Sequence, residues 1–226
     1  MLFAITEPVS LLGLLLAFLL GVAVRAAVQV ALARRLLRHD VGSVLPHLRR
    51  DIDPFGALAA ALGGTGWGRE APLPETGWVA PRRGRRATVL AAGPVAVIVL
   101  GLAVLIGYRV VAGDTVLLSL LYASDVLRGI TGTLTQQFLI SLGVGLLCFG
   151  VLAFLPLPPL DGWGLLWLAI RRPGEGAQKA RYWLQERNIG ILILLVLIVF
   201  SFGARRPLLL FVLDLAVNPL MRLAAG

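Results

Sequence analysis

Long apolar runs separated by arginine-rich stretches set the pattern of this chain. The first run extends from Val9 to about Ala33 and holds one charge, Arg25, and one amide, Gln29. The second, Ala87 to Tyr108, is uncharged throughout, and the third, Leu134 to Leu157, carries its amides, Gln136 and Gln137, at its start. A fourth, Ile189 to Gly203, is short for a membrane crossing unless Trp183 and Leu184 extend it. A last stretch, Pro207 to Ala225, contains Asp214, Asn218 and Arg222. Crossing a bilayer takes ~20 helical residues at 1.5 Å each, which the first three runs supply. Two shorter apolar stretches stand apart. Phe55 to Leu62 has the length to dip into a membrane and return, and Val116 to Leu127 suits an interfacial helix or a hairpin capping the far side. Non-helical backbone at that depth must be covered by protein or water. The pattern predicts an all-α polytopic membrane protein, a single integral membrane domain over residues 1–226. It has about four to six membrane segments (9–33, 87–108, 134–157, 189–203 and the apolar 207–225). A short re-entrant or hairpin region follows the first span.

Composition strengthens this reading. Of 226 residues 58% are hydrophobic and only 15% charged, with a mean hydropathy of +0.87. Soluble domains are nearer half apolar and a quarter charged, and disordered chains need low hydrophobicity, so both classes are excluded. The formal net charge is +9. Its placement speaks for membrane topology rather than nucleic acid, which is not expected as a partner. The connection 34–86 carries ten arginines and the connection 163–188 five basic residues, whereas 109–133 carries only Arg109 and Arg128. That asymmetry predicts that loops 34–86 and 163–188 are cytoplasmic and the N-terminus outside. Arg205 and Arg206 fit poorly if Ile189–Gly203 crosses fully; they fit if the last two segments are re-entrant or lie along the surface. The cluster Arg82-Arg83-Gly84-Arg85-Arg86 reads as a topology signal in contact with anionic membrane lipids. The single cysteine, Cys148, permits no disulfide and no cysteine-based metal site within one chain. No cleavable signal is expected, because the N-terminus lacks a basic leader segment.

Three local patterns carry chemistry. Asp51-Ile52-Asp53-Pro54-Phe55-Gly56 follows the first span and is trailed by Gly66-Trp67-Gly68-Arg69-Glu70-Ala71-Pro72; Ala92-Gly93-Pro94 lies inside the second; Leu155-Pro156-Leu157-Pro158-Pro159-Leu160-Asp161-Gly162 ends the third. Pro158 and Pro159 are expected to break that helix at the membrane edge, and Gly162 to permit a tight turn after Asp161. An acid at a broken helix near the bilayer needs a cation, a metal or a proton, unless it simply ends a helix in an aqueous interface. His39 and His47 lie eight residues apart, with Pro46 between them, which is too far for one metal. They read as solvated loop histidines. Asp114, Asp125, Asp161 and Asp214 are too scattered to form a proton pathway.

In their order along the chain, these patterns resemble the site-2 protease family of intramembrane zinc metalloproteases, especially its compact bacterial branch. In that branch a His-Glu-x-x-His helix precedes a His-Ile-Asp-Pro-x-Gly loop and a Gly-Trp-Ala-Lys-Pro-Val hairpin. An Ala-Gly-Pro-x-x-Asn helix and an Asn-x-x-Pro-x-x-Pro-Leu-Asp-Gly segment follow. The resemblance covers about residues 20 to 165 and implies that family's helical bundle, in a bacterial inner membrane. Asp53, Pro54, Gly56, Gly93, Pro94, Pro158, Pro159 and Gly162 match structural positions of the pattern. Asp161 matches the third metal ligand.

The chemistry does not carry over. Where the family has His-Glu-x-x-His, this chain has Arg25-Ala26-Ala27-Val28-Gln29, and residues 1–38 contain no histidine. Asp51, Val97 and Ala153 replace a His and two Asn of the pattern. Arginine cannot ligate zinc, glutamine is a poor ligand and alanine offers no base. The resemblance therefore implies a degenerate former metal site, Arg25, Gln29 and Asp161, with no catalytic residue, metal or cofactor. Arg25 either pairs with Asp161, with Gln29 reaching the same group, or snorkels toward the interface that Arg34 and Arg35 mark. A charge inside a membrane most often finds a partner, which favours the pair. The expected function is a catalytically inactive structural or regulatory subunit that binds another membrane protein or multisubunit complex. An active zinc protease with an atypical site, and a pseudoprotease that holds transmembrane substrates, are the alternatives.

Overall fold

The computed structural model describes residues 1–37, 45, 47–70, 83–113, 116–200 and 207–226. His39, Pro46, Arg82, Asp114, Arg205 and Arg206, which figured in the sequence reading, lie outside these described residues. Among the described residues the chain is helical, with no strand and one isolated antiparallel bridge, Ile52 to Gly68.

Helix α1 is Pro8–Leu32, continued by a π-helical turn Ala33–Leu37. Proline at the first position suits a helix start, where its missing N–H costs nothing. Its buried face, Leu14, Phe18, Val22, Arg25 and Gln29, follows the three-to-four-residue helical spacing. Two short helices follow, α2 (Leu48–Asp51) and α3 (Pro54–Gly63), the latter being the predicted dipping segment. It ends on Gly64 at φ +84°, a left-handed cap that glycine adopts without strain. Helix α4 is Arg83–Ala112. Val116 to Leu127 folds as two short helices, α5 (Val116–Leu120) and α6 (Ala123–Val126), whose Leu118, Ala123, Ser124 and Val126 are buried against the bundle.

Helix α7 (Leu134–Leu152) opens with a reciprocal cap between Thr133 and Gln136, and it runs between α1 and α4 as the most buried element. Small residues set these contacts. A side chain at Gly101 on α4 would fall 2.9 Å from the Gly143 carbonyl, and one at Gly145 would fall 2.7 Å from Ala17. These glycines let the helix backbones of one chain approach closely.

The third span ends at Leu152, five residues short of the predicted Leu157. Residues 153–160 form turns, closed by bonds from Phe154 N to Val151 O and from Leu155 N to Leu152 O. Pro158 and Pro159, joined by a cis peptide, therefore lie inside the connection and do not terminate the helix. The chain continues as α8 (Asp161–Ala169), α9 (Glu175–Arg181) with a π-helical turn Tyr182–Glu186, α10 (Ile189–Val199) and α11 (Leu208–Ala225).

Among the described residues four helices are long and apolar enough to cross a membrane: Pro8–Leu37, Arg83–Ala112, Leu134–Leu152 and Leu208–Ala225. A fifth span arises if Glu175–Glu186 and Ile189–Val199, bent by 68°, count as one. Alone, α10 is ~16 Å long at 1.5 Å per residue, about half of a hydrocarbon core. The protein is a multi-pass membrane protein. Asp214 and Asn218 of α11 cap α6. The Asp214 carboxylate accepts from Ser124 N and Oγ at 2.7 and 2.8 Å, and Asn218 Oδ1 accepts from Ala123 N at 3.0 Å.

Candidate functional site

The sequence patterns converge where α1, α4, α8 and the segment after α3 meet. Arg25, 4% exposed, and Asp161, 3% exposed, form a two-pronged ion pair. Arg25 Nε donates to Asp161 Oδ2 at 2.5 Å and Nη2 to Oδ1 at 2.6 Å. The planar guanidinium matches the carboxylate fork, the strongest arrangement open to the two groups. The third edge of Arg25 is used as well: Nη1 donates to the Arg69 carbonyl at 2.8 Å. Asp161 is the first residue of α8, where the helix N-terminus also favours an acid.

Gln29 does not reach Asp161, contrary to expectation. Its Nε2 donates instead to the Leu90 carbonyl of α4 at 3.2 Å. The cause lies four residues on. Pro94 is inside α4 and has no N–H, so the Leu90 carbonyl lacks its normal helical donor. Gly93 makes room for the approach, since a Cβ there would fall 2.9 Å from both Arg25 Cγ and Gln29 Cγ. Ala-Gly-Pro is thus the surface on α4 that receives two polar side chains of α1.

The Asp-Pro-x-Gly segment has a comparable local logic. Asp53 Oδ1 accepts from Phe55 N at 3.3 Å and caps α3, and Pro54 occupies the first turn. Asp53 Oδ2 also accepts from Trp67 Nε1 at 2.5 Å. Gly56 lies against the Trp67 carbonyl, where any Cβ would collide. Arg69 N donates to Asp51 O at 2.8 Å, so the segment 66–69 returns antiparallel to 51–53 and is clasped by Arg25. Glu70 follows immediately. Desolvation raises its carboxyl above the ordinary value, Arg25 opposes this, and Asp161 adds to it.

Gly162 has a different role from the one expected. It is helical, its N–H donates to Ala153 O at 2.8 Å, and a Cβ would collide with the Phe154 carbonyl. Close backbone approach, rather than a tight turn, calls for glycine there. Val97 and Ala153 are buried apolar residues at positions where the family pattern has Asn. His47 is exposed on the basic connection, with its backbone N–H on Asp51 Oδ2 at 2.9 Å. Sequence reasoning missed Trp67 Nε1 and the carbonyls of Arg69 and Leu90. Only the Leu90 carbonyl had a signal, four residues before Pro94.

The metal implied by the family resemblance is zinc, and the described residues do not fit it. Both Asp161 oxygens face Arg25, and the Gln29 amide is turned to α4. Position 26 offers only a methyl group. No three His, Cys, Asp or Glu among the described residues come close enough to share an ion. The crevice lined by Arg25, Trp67, Phe149, Pro159 and Asp161 is too narrow for a water molecule.

Comparison with family models finds no match, and no solved structure matches the chain. Among curated proteins it is similar to one named "Putative zinc metalloprotease YwhC", from Bacillus subtilis (strain 168). The two are 30% identical over 155 residues, covering 69% of this chain and 64% of that protein. The chain thus spans just under two thirds of the length of this relative.

Proposed function

For this relative of the site-2-protease-like membrane metalloproteases, we propose a non-catalytic role: a structural or regulatory subunit that binds another membrane protein or complex. One observation carries the reading. The carboxylate at the third-ligand position of the family pattern is fully engaged by the Arg25 fork. Zinc hydrolysis needs three protein ligands and an open coordination position, together with a base. A fixed guanidinium supplies none of these. It does neutralise Asp161 and ties α1, α8 and the segment after α3 together, which suits a scaffold. In this reading the protein lies in a bacterial inner membrane with its basic connections cytoplasmic, in contact with membrane lipids. Mild-detergent purification tests the role. A fixed stoichiometric membrane neighbour supports it; a mixture of single-span proteins points instead to a pseudoprotease that holds substrates.

The relative's name favours a second reading, an active zinc protease with an atypical site that keeps Asp161 as a ligand. It predicts cleavage of a transmembrane substrate that stops on chelation. The scaffold reading predicts no chelator-sensitive cleavage.

A further inference from the structure

The segment Glu175–Glu186 has no buried residue, although it is helical throughout. A helix this short gains little from its own hydrogen bonds and normally relies on packing. It is bent by 68° from the wholly apolar α10, so it lies across the axis along which α10 would enter a membrane. Its aromatic residues Tyr182 and Trp183 are exposed at 39% and 46%.

Its cations are arranged on rings. The Arg181 guanidinium lies 5.1 Å from the Trp167 ring centre of α8. The Arg187 guanidinium lies 5.4 Å from the Tyr182 ring and 5.9 Å from the Trp183 ring, and its Nε donates to Tyr182 Oη at 2.9 Å. Among the described residues neither arginine makes a close ion pair with a carboxylate, although Arg181 acts on Glu70 at longer range. Stacking on a ring fixes the guanidinium plane and leaves its outer N–H groups for an anion. Residues 171–187 hold five cations against Glu175 and Glu186. The Arg171 carbonyl receives Arg83 Nη2 at 3.4 Å, joining this surface to the basic start of α4.

We propose that residues 171–187 form an interfacial surface for anionic phospholipid headgroups. Arg181 and Arg187 contact the headgroup phosphate, and Tyr182 and Trp183 anchor the helix at the lipid boundary. Aromatic rings at the headgroup level beside basic residues suit an anionic leaflet in both shape and charge. The proposal rests on the protein's being a membrane protein and is independent of whether it is catalytic.

Delipidated full-length chain in detergent is titrated with phosphatidylglycerol or phosphatidylcholine and followed by native mass spectrometry. Phosphatidylglycerol should be retained in preference, and less so at high salt. Arg181→Gln and Arg187→Gln should each weaken its retention about fivefold, the value expected for one cation near an anionic surface. Arg181→Lys and Arg187→Lys should weaken it less, and they keep the test available if the glutamine variants do not fold. Equal retention of the two lipids overturns the proposal. So does undiminished retention in the folded double glutamine variant. Displacement of the lipid by equimolar inorganic phosphate would mark a simple anion site and also overturn it.

Discussion

Gln29 of α1 completes the hydrogen bonding that Pro94 interrupts in α4, donating to the Leu90 carbonyl from 3.2 Å. A buried amide of one helix thus has a structural task created by a proline on another. Gln29→Leu should cost about 1–3 kcal/mol, because it leaves a buried carbonyl without a donor. In a Pro94→Ala background the helix regains its own donor, and the same change should cost about 1 kcal/mol less. A double-mutant cycle on thermal unfolding in detergent measures the difference; equal costs in both backgrounds would show that the two residues are uncoupled.

Arg25 and Asp161 should behave as a unit. Arg25→Met leaves a buried carboxylate without its cation and is expected to cost about 3–5 kcal/mol. Pairing it with Asp161→Leu removes the stranded charge, and the double variant should recover much of that loss. Melting temperatures of the three variants check this. A double variant no more stable than Arg25→Met would contradict it.

Two glycines of one helix should respond in opposite directions. Gly101→Ala pushes a methyl to within 2.9 Å of the Gly143 backbone and should destabilise by about 1–3 kcal/mol. Gly107 has nothing within 4 Å, so Gly107→Ala should stabilise by about 0.5–1 kcal/mol through helix propensity alone. Unfolding midpoints of the two variants give the comparison directly.

Asp214 accepts from both Ser124 N and Ser124 Oγ at the start of α6. Asp214→Ala should cost about 1–3 kcal/mol and speed hydrogen exchange at residues 123–126. Asp214→Asn keeps one acceptor and should cost less. Exchange rates unchanged in both variants would remove the capping role.

The parts legible in the sequence were those set by solvent. A run without charges must avoid water, so α1, α4 and α7 showed themselves, and a lone Arg25 in such a run called for a partner. What stayed hidden depends on contacts between distant segments. Gln29 looked like a neighbour of Asp161 because both belong to one family pattern; its partner is fixed instead by a carbonyl that Pro94 exposes across the helix interface. The third span looked longer because apolar residues continue to Leu157, yet the backbone turns after Leu152 and Gly162 N bonds back to Ala153 O. Asp214 looked like a scattered acid because α6, which it caps, lies about ninety residues earlier in the chain.

The zinc content of the full-length protein, purified from zinc-supplemented cells without chelator, tests the central claim most directly. With Asp161 held by Arg25, zinc should remain far below one ion per chain, and Asp161→Asn should leave that value unchanged. One tightly held zinc per chain, lost in Asp161→Asn, would contradict the account.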